Sequence, residues 1–129
     1  MFFQTNDDMV SDYKFELKND IKLLNGKTFQ IVEKEDSDSN YVCRLDSTEV
    51  SLPLYVRNRC SGDKIAVKNL NGSKKIKDIF IDSKIPLKDR ESWPILVDSN
   101  DTILWVPGLK KSKYNKEKNG KYDIIIRYD

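Results

Sequence analysis

NGSKKIKDIFIDSKIP, residues 71–86, is the stretch on which the fold class turns, because it holds the one strong helical period in a chain otherwise patterned for strands. Ile76, Ile79 and Phe80 are spaced to share one buried face of a helix, and Ser73 stands where an N-cap would. The spacing predicts a helix over residues 73–83. Lys74, Lys75 and Lys77 then fall in its first turn, where the positive end of the helix dipole makes each unpartnered cation cost about 0.3–1 kcal/mol. Two readings follow: a solvated lysine-rich surface, or an anion site in which flanking lysines and free backbone N–H groups act together.

On the N-terminal side, YKFEL (13–17) alternates Tyr13, Phe15 and Leu17 against Lys14 and Glu16. IKLLNGKTFQIV (21–32) sets Asn25-Gly26 between apolar runs, a strong hairpin signal. Three strands are therefore expected before residue 33. The acidic EKEDSDSN (33–40) reads as an exposed loop, and YVCRL (41–45) as a strand. In SLPLYVRNR (51–59), Leu52, Leu54 and Val56 alternate with Pro53, Tyr55 and Arg57, with Pro53 marking a strand start or an edge. Ser61-Gly62-Asp63 turns the chain, and KIAVKNL (64–70) returns it.

Beyond Pro86, PILVD and TILWVPG flank residues 99–101 as a second hairpin. KKSKYNKEKNGKY (110–122) is a lysine-rich connection, and DIIIRY (123–128) a final strand. The pattern predicts an α+β, sheet-dominated fold with about eight largely antiparallel strands and one main helix. Residues 1–12 show no period and are read as a disordered or artificial start, with 13–129 as one domain.

The chain has 129 residues, 34% charged and 38% hydrophobic, with six Tyr, five Phe and two Trp, enough for one core. It has no histidine, which removes Ser-His-Asp and Cys-His catalysis and histidine-containing zinc sites. Neither a GxxxxGK[ST] loop nor a GxGxxG fingerprint occurs. Two cysteines without a CxxC pair, and no secretory leader, suggest a reducing, cytoplasmic setting with both thiols buried. No apolar run approaches the ~20 residues needed to span a bilayer. The net charge of +2 hides an asymmetry: residues 1–50 hold 6 Lys/Arg against 11 Asp/Glu, net −5, and residues 51–129 hold 17 against 10, net +7. A basic partner surface, if there is one, lies in the second part.

Arg57 and Arg59 share one side of a strand by its period of two, and their planar forks suit phosphate, so the pair suggests a clamp. Trp93 and Trp105 read as core. A base-stacking platform would need exposed aromatics among basic residues, for which Tyr55, Tyr114 and Tyr122 are weak candidates. Asp63 fits a turn, while Asp78 and Asp82, at i and i+4, fit solvent-facing partners of nearby lysines. No catalytic residue and no metal site is expected.

LYVRNRCSGDKI, then NGSKKIKDIFIDSKIPLKDRESWPIL, then ILWVPGLKKS together resemble the C-terminal domain of bacterial tRNA(Ile)-lysidine synthetase, TilS. The family pattern is a VR-R--GD strand and turn, a G-KK-K-FID-KIP helix, an R---P strand entrance and a WVPG strand. All four occur in order across residues 52–113, while residues 1–50 carry no diagnostic motif. The resemblance implies a sheet-rich fold similar to a domain of the phenylalanyl-tRNA synthetase β subunit. It also implies a parent ligase that uses ATP and Mg to convert the wobble cytidine of isoleucine tRNA to lysidine. That chemistry belongs to an N-terminal SGGxDS catalytic domain, and this sequence contains no SGG. The chain therefore looks like an excised C-terminal domain that needs no cofactor and is not by itself an enzyme. Its implied partners are isoleucine tRNA, at the acceptor stem, and the parent's catalytic domain. Carried onto this sequence, the implied tRNA-binding residues are Arg57, Arg59, Lys74, Lys75, Lys77, Lys84 and Arg90, with Lys110 and Lys111 added from the basic run. The competing expectation is a structural or protein-interaction module, through homodimerisation or interdomain docking, without RNA contact.

Overall fold

In the computed structural model of the protein, residues 12–68 and 72–129 are described. The expected disordered start therefore lies outside the described residues, apart from Asp12. The three strands expected before residue 33 are β1 (Lys14–Glu16), β2 (Ile21–Lys22) and β3 (Thr28–Val32). β2 and β3 pair as an antiparallel hairpin whose turn is closed by the Leu23 N–H donating to Lys27 O at 2.8 Å. Gly26 sits in that turn at φ 85°, a left-handed conformation in which a Cβ is strained. Next come β4 (Val42–Leu45), β5 (Tyr55–Arg57), β6 (Lys64–Ala66) and β7 (Ser73–Lys75). Helices α1 (Ile76–Asp82) and α2 (Leu87–Arg90) precede β8 (Ile95–Val97), β9 (Ile103–Val106), β10 (Lys110–Lys111) and β11 (Ile124–Tyr128). The described residues thus contain eleven strands rather than about eight, in the α+β, sheet-dominated fold expected. The extra ones are pieces of two or three residues, too short to leave a period in sequence.

The strands form two sheets. The larger runs β1-β5-β8-β9-β6-β7, with β10 also on β9; the smaller runs β2-β3-β11-β4. Every pairing is antiparallel except β6 with β9. Alternation on the larger sheet sends Val56, Leu96 and Leu104 to one face, where they meet Phe29, Leu45 and Ile126 of the smaller sheet. It sends Ile95, Val97 and Ile103 to the other face, where Ile76, Ile79 and Phe80 of α1 cover them. The larger sheet is the middle layer, which is why β8 and β9 are buried at every position and read as continuous apolar runs. Trp105 is fully buried, and Trp93 packs at 6.1 Å from the Phe80 ring, so both are core residues as expected. Phe15 departs from its alternation: it is 48% exposed and stacks on Tyr13, because β1 is the edge strand of its sheet among the described residues.

The opening stretch is corrected in one respect. Ser73, Lys74 and Lys75 are strand, in register with Ala66, Ile65 and Lys64, and the helix starts at Ile76. Its N-cap is Lys75 in extended conformation, with no side-chain cap. Pairing with β6 satisfies the backbone that a helical turn would have left open, and the Ile76 N–H donates to Asp63 O at 3.0 Å. Only Lys77 of the three lysines lies in the first helical turn, beside Asp78, whose charge suits that end. A helix of seven residues with its first N–H so occupied offers no anion site of its own. The far end closes as a Schellman motif: Lys84 N–H donates to Ile81 O and Ile85 N–H to Phe80 O, both at 3.0 Å, with Lys84 left-handed at φ 57°.

Candidate nucleic-acid interface

The candidate interface is built at the end of the larger sheet, where β5 leaves the layer and the chain turns into β6. The turn is self-closing: Asp63 N–H donates to Cys60 O at 3.2 Å, Cys60 N–H donates to the Asp63 carboxylate at 2.7 Å, and Gly62 takes φ 85°. Arg57 is held beneath it. Its two terminal nitrogens donate to the two Asp63 carboxylate oxygens at 2.9 and 3.1 Å, and Nε donates to Asp101 at 3.0 Å. Burial works against this charge, but the Asp63 and Asp101 carboxylates outweigh it and hold the guanidinium above its ordinary pKa.

The proposed outward clamp of Arg57 and Arg59 therefore does not form. Arg57 is 4% exposed, with its fork spent on Asp63 and Asp101. Arg59 lies past the end of β5 and reaches Glu91, with Nη2 and Nε donating to Oε1 at 2.7 and 3.2 Å. Asp63 has more than the turn role expected of it, since it also anchors this arginine.

Arg59 instead joins residues far along the chain. With Lys75, Lys77, Glu91 and the 60–63 turn it lines an open cavity of about 450 Å³. Lys75 and Lys77 are exposed and form no ion pair among the described residues. Lys74 points off the opposite side of its strand and pairs with Asp82 across 2.7 Å, the lysine partner expected for that carboxylate. Arg90 is half-buried, its Nε donating to Ile85 O at 2.7 Å, so it braces the turn between α1 and α2. Lys84 is exposed at the helix end.

Lys110 and Lys111 lie on β10 beside the acidic loop 33–40. Lys111 is partly buried, which pushes its pKa down, and donates to Asp38 O at 3.2 Å. Arg44, almost fully buried, holds the same loop through the Asp38 carboxylate at 3.1 Å and Glu35 O. The nine residues expected to bind tRNA are thus divided: three line the cavity, Arg57, Lys74, Arg90 and Lys111 make internal contacts, and Lys84 and Lys110 stand apart from the cavity. Sequence reasoning missed Glu91, which sits in an aperiodic segment and meets Arg59 only through the fold. It also took both thiols as buried. Cys43 is, with its pKa pushed up to about 12 by burial, but Cys60 is exposed in the turn.

The model of the TilS substrate C-terminal domain matches residues 54–127. A tRNA(Ile)-lysidine synthase of Bacillus cereus is 40% identical over 134 aligned residues, covering 95% of this chain and 28% of that protein. A bifunctional protein TilS/HprT of Listeria monocytogenes is 53% identical over 85 residues, covering 65% of this chain and 13% of that one. The chain thus spans under a third of the length of these relatives. A crystal structure of a TILS C-terminal domain superposes with a TM-score of 0.81 at 39% identity, covering 92% of this chain and 96% of that one. Since that likeness runs through both sheets and not the motif-bearing half alone, the chain belongs to the TilS substrate C-terminal domain family.

Proposed function

We propose that this domain contacts tRNA and positions it for a parent tRNA(Ile)-lysidine synthase, whose ATP-dependent conversion of a wobble cytidine to lysidine takes place elsewhere in that enzyme. The observation that carries the reading is the convergence of Arg59, from the end of β5, with Lys75 and Lys77, from the junction of β7 and α1, on one open cavity. The likeness to proteins named for that synthase supports it. Cations on a rigid sheet end suit the phosphates of a duplex stem, which proteins read mainly by shape, 2′-hydroxyls and backbone position. The acceptor stem of isoleucine tRNA is the proposed target.

The test is a titration of the chain with isoleucine tRNA and a non-cognate tRNA at several salt concentrations. Log K is expected to fall with log salt by about 0.7–0.9 per phosphate neutralised. A triple Arg59→Ala, Lys75→Ala, Lys77→Ala variant is expected to bind more weakly and to lower the slope by roughly 2–3 on the same scale. An unchanged affinity and slope in a folded variant overturns the reading.

A second reading, a protein-docking module, has its own observation: an apolar cavity of about 300 Å³ beside the cluster between the two sheets, lined by Leu17, Ile31, Leu52, Pro53, Leu54 and Ile126 among others. Gel filtration with and without tRNA separates the two. An oligomer indifferent to tRNA favours docking.

A further inference from the structure

Glu91 is the anomaly of the basic cavity. A carboxylate among Arg59, Lys75 and Lys77 repels the phosphates that the three cations would attract. It is not there to hold the fold: its side chain is more than half exposed, and its one ion pair is with the partly exposed Arg59. Such a pair adds at most about 1 kcal/mol to stability. Both bonds from Arg59 converge on Oε1, and no described residue bonds Oε2. The Glu91 backbone is fixed independently, since its carbonyl accepts from Asn58 Nδ2 at 3.0 Å. The carboxylate is therefore presented to the cavity on a rigid base, steered by Arg59, with one acceptor oxygen free.

The geometry points to Glu91 as a specificity residue that accepts a hydrogen bond from a ribose 2′-hydroxyl of a stem lying in this cavity. The inference rests on the RNA-binding reading proposed above. An acceptor-only group placed beside phosphate-binding cations is uniformly unfavourable toward a polyanion unless the ligand brings a donor. The 2′-hydroxyl is the donor that recurs beside every phosphate of RNA and is missing from DNA. Arg59 and the lysines would supply attraction for any nucleic-acid backbone, and Glu91 would favour ribose over its deoxy counterpart.

The experiment compares an acceptor-stem minihelix made of RNA with one carrying 2′-fluoro sugars throughout the stem, which keeps A-form geometry but lacks the donor. The wild-type chain is expected to prefer the RNA stem. Glu91→Ala is expected to bind the 2′-fluoro stem more tightly than wild type does, because a repelling charge is gone. The same variant is expected to lose about tenfold in its preference for RNA, the size of one charge-assisted hydrogen bond. Arg59→Ala, measured alongside with thermal unfolding of each variant, is expected to weaken both stems while part of the preference survives. A Glu91→Ala variant that is folded and keeps the full RNA preference overturns the inference while leaving the RNA-binding reading intact. If Arg59→Ala and Glu91→Ala leave binding to both stems unchanged, the RNA-binding reading of this cavity fails with it.

Discussion

Arg57 and Arg59 are two residues apart and equally basic, and a strand's period of two would put them on one side, yet β5 ends at Arg57 and the fold gives them opposite tasks. Arg57 sits beneath the 60–63 turn with its charge balanced by Asp63, itself nearly buried, and by Asp101. Arg57→Ala leaves the Asp63 carboxylate buried without its counter-charge, a change that costs about 3–5 kcal/mol. Urea unfolding is expected to register that loss, and any RNA-binding defect in this variant is expected to track its unfolded fraction. Arg59→Ala breaks a partly exposed pair and is expected to change stability by at most about 1 kcal/mol, with its effect appearing in RNA affinity. The equal period of the two residues was legible in the sequence. Which of them is buried between two carboxylates was not, because Asp63 and Asp101 reach Arg57 through a turn and a hairpin that the alternation does not encode.

At the scale of elements, the helix is the instructive case. The apolar triad Ile76, Ile79 and Phe80 was readable, and all three pack under the larger sheet. The start was misplaced because Ser73 is a good N-cap by type, and a ladder partner, β6, outbid that local preference from seven or more residues away. Ser73→Ala is accordingly expected to shift stability by less than about 0.5 kcal/mol, as an ordinary surface change does, against about 1 kcal/mol for loss of a true N-cap. Chemical denaturation of the single variant decides between these. The puzzle of lysines crowding a helix start dissolves with the boundary: Lys74 and Lys75 stand on opposite faces of a strand, so one pairs with Asp82 and the other turns to the cavity. The acidic segment 33–40 shows the reverse relation. Its exposure was read correctly, while its tethering by Arg44, Lys111 and Arg127 depends on residues up to 92 positions away.

Across the whole molecule, carboxylates from both the acidic and the basic part of the chain are held below their ordinary pKa by specific partners. The Ser37 backbone N–H and then Arg127 lower Glu35; the Thr48 hydroxyl lowers Asp46; Lys68 lowers Glu117; the Ser47 hydroxyl lowers Asp123. A carboxyl whose folded pKa is depressed stabilises the native state fully above its unfolded pKa, and that contribution is lost as pH falls through the folded value. The unfolded values lie near 3.9 for Asp and 4.3 for Glu, so these groups are expected to leave stability unchanged above about pH 5 and to erode it below about pH 4. Thermal unfolding midpoints across that range check this, and a midpoint that rises on acidification would contradict it.

The sequence by itself determined what is local or periodic: the α+β class, the two hairpins, the buried face of the helix, the core tryptophans and the four motifs that mark the family. Period, turn residues and contiguous motifs are properties of neighbouring positions, so no folding is needed to see them. Tertiary structure alone decided which cations reach the open cavity. Arg57, Lys74, Arg90 and Lys111 are occupied by internal partners, while Arg59, Lys75 and Lys77 meet at one cavity with Glu91 among them. Whether a charge is available depends on which opposite charge or carbonyl lies within about 3 Å of it, and residues remote in sequence set that distance.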